Sequence, residues 1–180
     1  MLAAFALLGC APAGNLRPML PMLPDRHLEF GTAWTAVGPR PVGHDDWAQG
    51  AQAWATGQPV TWFDVSVVGA FDGTHGTAGL AMRYRALETD RVGLGLGLEV
   101  GTGWAGLNLP VAVRVFDGVW MYSSPQLGTW GKDETVRLPI GLNVEVIDAV
   151  QLRTEAEMNY PAFDPYQRRL HLGVGVAYQL

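Results

Sequence analysis

The sequence is poor in charge, in lysine and in cysteine. Charged residues make up 16% of its 180 residues, against about 25% in ordinary soluble domains, and Lys132 is the single lysine. Soluble β-proteins place lysines on solvent-facing strands and sheet edges, so their scarcity argues against a sheet that faces water. The net charge of −5 provides no basic surface, and we therefore expect no nucleic-acid partner.

Cys10 is the only cysteine, which excludes a disulfide within the chain. It follows an apolar run, Leu2 to Leu8, and the small residue Gly9. This order resembles the end of a bacterial lipoprotein signal peptide, although the apolar core is short and lacks a preceding Lys or Arg. The alternative is an ordinary secretory signal with a chance cysteine. We predict a signal-like segment at 1–9, lipidation at Cys10, a proline-rich tether at 10–25 and a folded domain at 26–180.

No apolar run after the N-terminus reaches the eighteen or so residues of a membrane helix. Apolar residues instead alternate with polar or small ones along 61–180, which is the period of β-strands. The last segment shows this most clearly: Leu170, Leu172, Val174, Val176, Tyr178 and Leu180 share one face. A chain of this kind can cross a membrane only as a closed barrel, because only closure satisfies every strand hydrogen bond in lipid.

The alternation predicts an all-β, closed, antiparallel, up-and-down transmembrane β-barrel of ten strands. The predicted strands are 27–37, 50–56, 61–71, 77–87, 91–101, 107–116, 119–127, 136–146, 150–160 and 169–180. Of these, 50–56 has the weakest pattern, so the alternative is eight strands with 27–57 as an accessory segment. From residue 61 onward, short turns alternate with longer loops at 72–76, 102–106, 128–135 and 161–168, as in outer-membrane barrels.

The composition of the two faces predicts which one lies inside. The non-apolar face combines glycine and alanine with long charged side chains, which a narrow barrel holds when the charges are paired. The predicted interior charge network is Arg83, Arg85, Glu99, Arg114, Arg137, Glu145, Arg153, Glu155, Glu157 and His171. The alternative is a lipocalin-like barrel with the apolar face inside. Aromatic residues near strand ends, namely Trp62, Trp104, Trp120, Tyr160 and Tyr178, suggest the interfacial girdles of membrane barrels.

In these patterns, residues 27–180 resemble small bacterial outer-membrane β-barrels. The last strand is similar to the assembly signal of that family through Tyr178 and its alternating apolar residues, although Leu180 stands where the family usually has Phe. The resemblance implies an outer-membrane location, contact with the lipid bilayer and recognition by the outer-membrane assembly machinery. It also implies that protein partners bind through extracellular loops, here near 39–49, 128–135 and 161–168.

Catalytic and metal-binding patterns are weak in this sequence. Ser66, Ser123 and Ser124 have no clear histidine base, and His171 is expected to be a packed interior residue. Glu155 and Glu157 are spaced like paired acids, but nearby arginines favour ion pairing. The His44-Asp45-Asp46 cluster lacks further metal ligands. We therefore predict no cofactor, no metal and no enzymatic activity. The leading hypothesis is a structural or surface-interaction barrel with a side-chain-filled interior, and the alternatives are a narrow pore or a lipocalin-like binder.

Overall fold

The computed structural model describes residues 17, 26–38, 47–71, 76–130, 133–163 and 168–180. The predicted signal-like segment 1–9, Cys10, most of the tether and the His44-Asp45-Asp46 cluster lie outside the described residues. Within the described residues there is no helix long and apolar enough to cross a membrane.

The described chain is built of β-strands. In chain order they are β1 Leu28–Val37, β2 Ala48–Val60, β3 Phe63–Phe71, β4 Gly76–Glu88, β5 Val92–Gly101, β6 Trp104–Asn108, β7 Val111–Phe116, β8 Val119–Ser123, β9 Gln126–Trp130, β10 Asp133–Ile147, β11 Val150–Pro161 and β12 Arg169–Gln179. Each pairs antiparallel with its neighbours, and β1 pairs with β12 from Glu29↔Gln179 to Val37↔His171. This last pairing closes the sheet into a barrel.

Two of the ten barrel strands are interrupted by proline. Segments β6 and β7 both pair with β5, and their register continues unchanged across Pro110. Segments β8 and β9 pair with β10 in the same way across Pro125. Proline has no N–H to donate to the ladder, but the carbonyl oxygens of Pro110 and Pro125 still accept backbone bonds from Gly95 and Leu109. The wall is therefore continuous, and the predicted ten-stranded closed barrel is confirmed.

The two ends of the barrel differ. The terminal end carries the start of β1, the end of β12 and the short turns before β3, β5, β8 and β11. The loop end carries the other connections, of which residues 39–46, 72–75, 131–132 and 164–167 lie outside the described residues. The loops predicted at 102–106 and 128–135 are shorter than expected, because β6 begins at Trp104, β9 extends to Trp130 and β10 begins at Asp133.

The apolar face lies outside, as predicted, which removes the lipocalin-like alternative. Large apolar side chains form a continuous apolar belt on the outer wall, for example Leu96, Ile140 and Val174, which are 52%, 56% and 47% exposed. Such a surface would be unfavourable in water and suits the hydrocarbon core of a bilayer.

Aromatic residues flank the apolar belt, but not all the predicted ones do. Trp62 and Tyr178 are exposed near the terminal end, and Trp62 contacts Tyr84 with ring centroids 5.9 Å apart. Trp104 and Trp120, predicted for the girdle, are instead buried inside the barrel at 4% exposure. On the inner face, the ring of Trp104 lies against Gly79 and Gly101, which leave room for it.

Candidate functional site

The interior of the barrel holds a set of buried charges. Eight residues of the predicted network line it: Arg83, Arg85, Glu99, Arg137, Arg153, Glu155, Glu157 and His171, each 7% exposed or less. Arg114 and Glu145 do not join them. Both lie at the terminal end, next to register shifts at Arg114/Phe116 and Glu145/Ile147, where Arg114 is only partly buried and Glu145 is exposed. Arg114 pairs there with exposed Asp117 at 3.3 Å.

The largest group, which we call the closure cluster, consists of Glu29, Arg153, Trp54, Asn143, Gln151 and Gln179. Arg153 binds Glu29 through two hydrogen bonds, Nη1 to Oε1 at 2.8 Å and Nη2 to Oε2 at 2.6 Å. Glu29 also accepts from Trp54 Nε1 at 3.0 Å, and Arg153 Nε donates to Asn143 Oδ1 at 2.9 Å. Since Glu29 is on β1 and Arg153 on β11, this pair spans the seam at which the barrel closes.

A second group surrounds Asp64 on β3. The Asp64 side chain is fully buried, and its Oδ1 accepts from Arg83 Nε at 2.6 Å. Its Oδ2 pairs with Arg85 Nη2 at 3.3 Å, and Arg85 also pairs with Glu88 at 2.8 Å. One carboxylate thus compensates two arginines of the adjacent strand β4.

A third group lies nearer the loop end, on β10, β11 and β12. Arg137 pairs with Glu157 at 2.6 Å, and His171 Nδ1 lies 3.3 Å from Glu157 Oε1. The Arg137 guanidinium also lies 4.5 Å from the centre of the Trp130 ring, close enough for a cation–π contact. Trp130 also stacks on Trp104, with ring centroids 5.9 Å apart and ring planes 7° apart.

The fourth group centres on Glu99 of β5, and it includes a residue from outside the strands. Glu99 Oε1 accepts from Asn108 Nδ2 at 3.1 Å and from Arg17 Nη2 at 3.0 Å. Arg17 is 2% exposed and its carbonyl oxygen accepts a hydrogen bond from Arg83. The sequence predicted only a tether at this position, whereas Arg17 lies inside the barrel.

Glycines on the wall make room for large interior side chains. A Cβ atom at Gly31 would lie 2.0 Å from the Trp54 ring, one at Gly101 would lie 2.4 Å from the Trp104 ring, and one at Gly141 would lie 2.3 Å from Tyr122. Real Cβ atoms do not approach that closely, so the rings lie flat on the inner wall only because glycine is there. These rings and the ion pairs together line the inner wall.

We expect Gly31→Ala to destabilise the barrel, because the added methyl group would push the Trp54 ring out of its place beside Glu29. The matched control is Gly69→Ala, where the nearest atom to a new Cβ is the Thr77 carbonyl oxygen at 3.8 Å. The folded fraction after heating in detergent, resolved as a fast-migrating gel band, measures both variants. Equal melting of the two variants would contradict a packing role for Gly31.

The candidate catalytic serines and His171 do not form hydrogen bonds with one another in the described part of the chain. Ser66 shares a hydrogen bond with Thr56 at 2.8 Å, Ser123 donates to the Pro139 carbonyl at 2.5 Å, and His171 faces Glu157. None of these contacts joins a serine to a histidine, so none of these serines has a histidine base in the described part of the chain. Nor do the described residues contain a group of three His, Cys, Asp or Glu that could hold a metal ion.

Several interior residues were absent from the predicted network. Glu29 and Asp64 are the acids that compensate Arg153, Arg83 and Arg85. Both lie on the non-apolar face of their predicted strands. The alternation of the sequence was therefore sufficient to place them in the interior. Arg17 had no such signal, because it precedes the first strand.

No protein-family model matches the chain, and no curated protein matches it by sequence. Solved structures do match by fold. The NanC porin has a TM-score of 0.58 at 7% identity, covering 85% of this chain and 100% of its own. The outer membrane protease OmpT from Escherichia coli has a TM-score of 0.54 at 8% identity, covering 86% and 94%. The KdgM porin, solved in complex with disordered oligogalacturonate, has a TM-score of 0.52 at 10% identity, covering 84% and 99%.

These neighbours agree with what the strands and their two faces show independently. All three are bacterial outer-membrane proteins or porins by their own descriptions, and identities this low support a shared fold alone. A closed antiparallel barrel of ten strands with an apolar belt outside and paired charges inside is the architecture of that group. The chain has the fold of the bacterial outer-membrane β-barrels.

Proposed function

We propose that the chain is a small, non-conducting outer-membrane barrel that acts as a scaffold and presents its loop end to other molecules at the cell surface. The observation that carries this proposal is the set of balanced, buried charges inside the barrel. Among the described residues, five buried carboxylates face five buried arginines, namely Glu29, Asp64, Glu99, Glu155 and Glu157 against Arg17, Arg83, Arg85, Arg137 and Arg153. Charges locked to one another, with rings packed between them, hold the wall in shape and leave little conduit for solute.

The orientation follows from the connections. Outer-membrane barrels have short periplasmic turns and longer extracellular loops, so the terminal end would face the periplasm and the loop end the outside. The strand ends at the loop end carry exposed aromatic side chains, namely Trp47, Phe71 and Phe163. Partners would be the lipid bilayer along the belt, the assembly machinery during insertion, and surface molecules at the loop end.

A lipid anchor at Cys10 belongs to the same proposal. The support for it is the sequence order Leu7-Leu8-Gly9-Cys10. Metabolic labelling with a radioactive fatty acid tests it: label on the wild-type protein that Cys10→Ser removes is the expected result, and equal label on both would refute it.

Planar-bilayer recording of the purified full-length protein tests the absence of conduction. We expect no steady single-channel steps, because the ion-paired interior offers neither free charge nor open width. Reconstitution is verified in the same sample by heat-modifiability, in which the folded barrel migrates faster on a gel than the boiled chain. Regular conductance steps from a correctly folded sample would contradict the scaffold and favour a pore.

A narrow pore is the second candidate function. Some buried polar atoms of the interior have no hydrogen-bond partner, including both side-chain amide atoms of Gln52, Asn143 Nδ2 and Ser124 Oγ. Buried polar atoms of this kind are commonly satisfied by water, and water in the lumen is a requirement of any pore. Two of the fold neighbours are porins by description. The same recordings decide between the two candidates.

A further inference from the structure

Arg17 fills a site that the strands leave incomplete. Glu99 is 2% exposed, and its hydrogen-bond partner from the barrel wall is the uncharged amide of Asn108. The cation that pairs with it, at 3.0 Å, is Arg17. Arg17 is held at a second point, since Arg83 donates a hydrogen bond to its backbone carbonyl oxygen. The contact therefore fixes both the side chain and the main chain of residue 17.

The charge balance of the interior depends on this residue. Among the described residues, the strands contribute five buried carboxylates but only four buried arginines, and Arg17 is the fifth. A carboxylate buried without a compensating charge is costly, because it loses its hydration and gains no partner. Arg83 has other hydrogen-bond acceptors, since its Nε donates to Asp64 at 2.6 Å and its Nη1 donates to the Arg17 carbonyl oxygen.

We propose that the barrel contains a guanidinium-binding site, formed by the Glu99 carboxylate and the Asn108 amide with Arg83 beside them, that its occupant is Arg17 of this chain, and that Arg17 acts there as an internal plug. Arg26 is bonded to the Gln179 carbonyl at the terminal end. The plug role rests on the proposed non-conducting barrel, whereas the binding site rests on the contacts alone.

A double-mutant cycle in the full-length protein tests the site. Arg17→Ala and Glu99→Gln are each compared with wild type, with the double variant and with the control Arg91→Ala, an exposed arginine at the terminal end. We expect Arg17→Ala to lower the melting midpoint of the folded gel band by roughly 5–15 °C. The double variant should melt above Arg17→Ala, because Glu99→Gln removes the uncompensated charge. Additive shifts, or an Arg17→Ala variant that melts like Arg91→Ala, would overturn the proposal.

Chemical rescue identifies the ligand chemistry. Methylguanidinium at millimolar concentration should raise the melting midpoint of Arg17→Ala, and tetramethylammonium, which has the charge but no N–H donors, should not. The Arg17→Ala/Glu99→Gln variant should respond to neither ion. Equal effects of both ions would show a general salt effect and refute a guanidinium site.

Bilayer recording separates this inference from the proposed function. Current steps in Arg17→Ala that are absent from wild type, and that methylguanidinium blocks, are the result expected of a plug. Current steps in the wild-type protein would refute the non-conducting scaffold. They would not affect the Arg17–Glu99 coupling, which the melting shifts measure. If neither protein shows current steps and the melting shifts are additive, the plug role of Arg17 is refuted, and the proposed non-conducting scaffold stands.

Discussion

Replacing Arg153 with alanine is expected to cost about 3–5 kcal/mol in the free energy of unfolding, because it leaves a buried carboxylate without its cation. Arg153 supplies two of the hydrogen bonds to Glu29, at 2.8 and 2.6 Å, and Glu29 is 6% exposed. The remaining contacts, from Trp54 Nε1 and from Gln179 Nε2 at 3.4 Å, come from neutral groups. Since the pair joins β11 to β1, its loss weakens the barrel at the seam where closure occurs.

Urea titration of tryptophan fluorescence in lipid vesicles measures this change. Arg91→Ala is the control, because it also removes one arginine but from an exposed turn; surface substitutions of that kind lie within about 0.5 kcal/mol of wild type. The double variant Glu29→Gln/Arg153→Met should recover part of the loss, because both charges are removed together. Arg153→Ala and Arg91→Ala unfolding at the same urea concentration would show that the seam does not depend on the pair.

The sequence was sufficient for the architecture because strand period and face composition are local properties. Leu96 and Leu98 alternate with Gly97 and Glu99 on one strand, and the small size of glycine beside a lone acid already indicates a crowded inner face. Within the predicted strand 119–127, Trp120, Tyr122, Ser124 and Gln126 all point inward. Polar and aromatic side chains share that inner face because Gly141 and Gly106 leave room for Tyr122 and Gln126.

The partners across the barrel could not be read from the sequence. Glu29 meets Arg153 only after closure has brought β1 and β12 together, and no local pattern encodes a contact between residues so far apart. Trp104 was assigned to the outer girdle because it lies near a predicted strand end, within the predicted loop 102–106. The structure instead begins β6 at Trp104, and the ring packs over Gly101 on the inner face. Arg17 belongs to no strand, so its place beside Glu99 depends wholly on the folded interior.

A charge on the outer wall gives the second large effect, and it tests the membrane rather than the interior. Leu96 is central in β5, is 52% exposed and lies in the apolar belt between neighbouring strands. Leu96→Arg should cost about 2–4 kcal/mol if this position meets the bilayer midplane, because the guanidinium must either lose its hydration or distort the lipid around it. The expected result is a lower urea midpoint in vesicles and a smaller inserted fraction.

Depth in the bilayer, rather than hydrophobicity alone, controls this cost, and Ile147→Arg is the control that shows it. Ile147 ends β10 at the terminal end and is 66% exposed, so its arginine can reach the interface and should cost only about 0–1 kcal/mol. Both variants replace a large aliphatic side chain of the outer wall with the same charged one, and they differ in depth. Equal costs at the two positions would contradict a bilayer centred on the apolar belt, whereas a clear excess at Leu96 follows from a barrel whose outer wall is solvated by lipid.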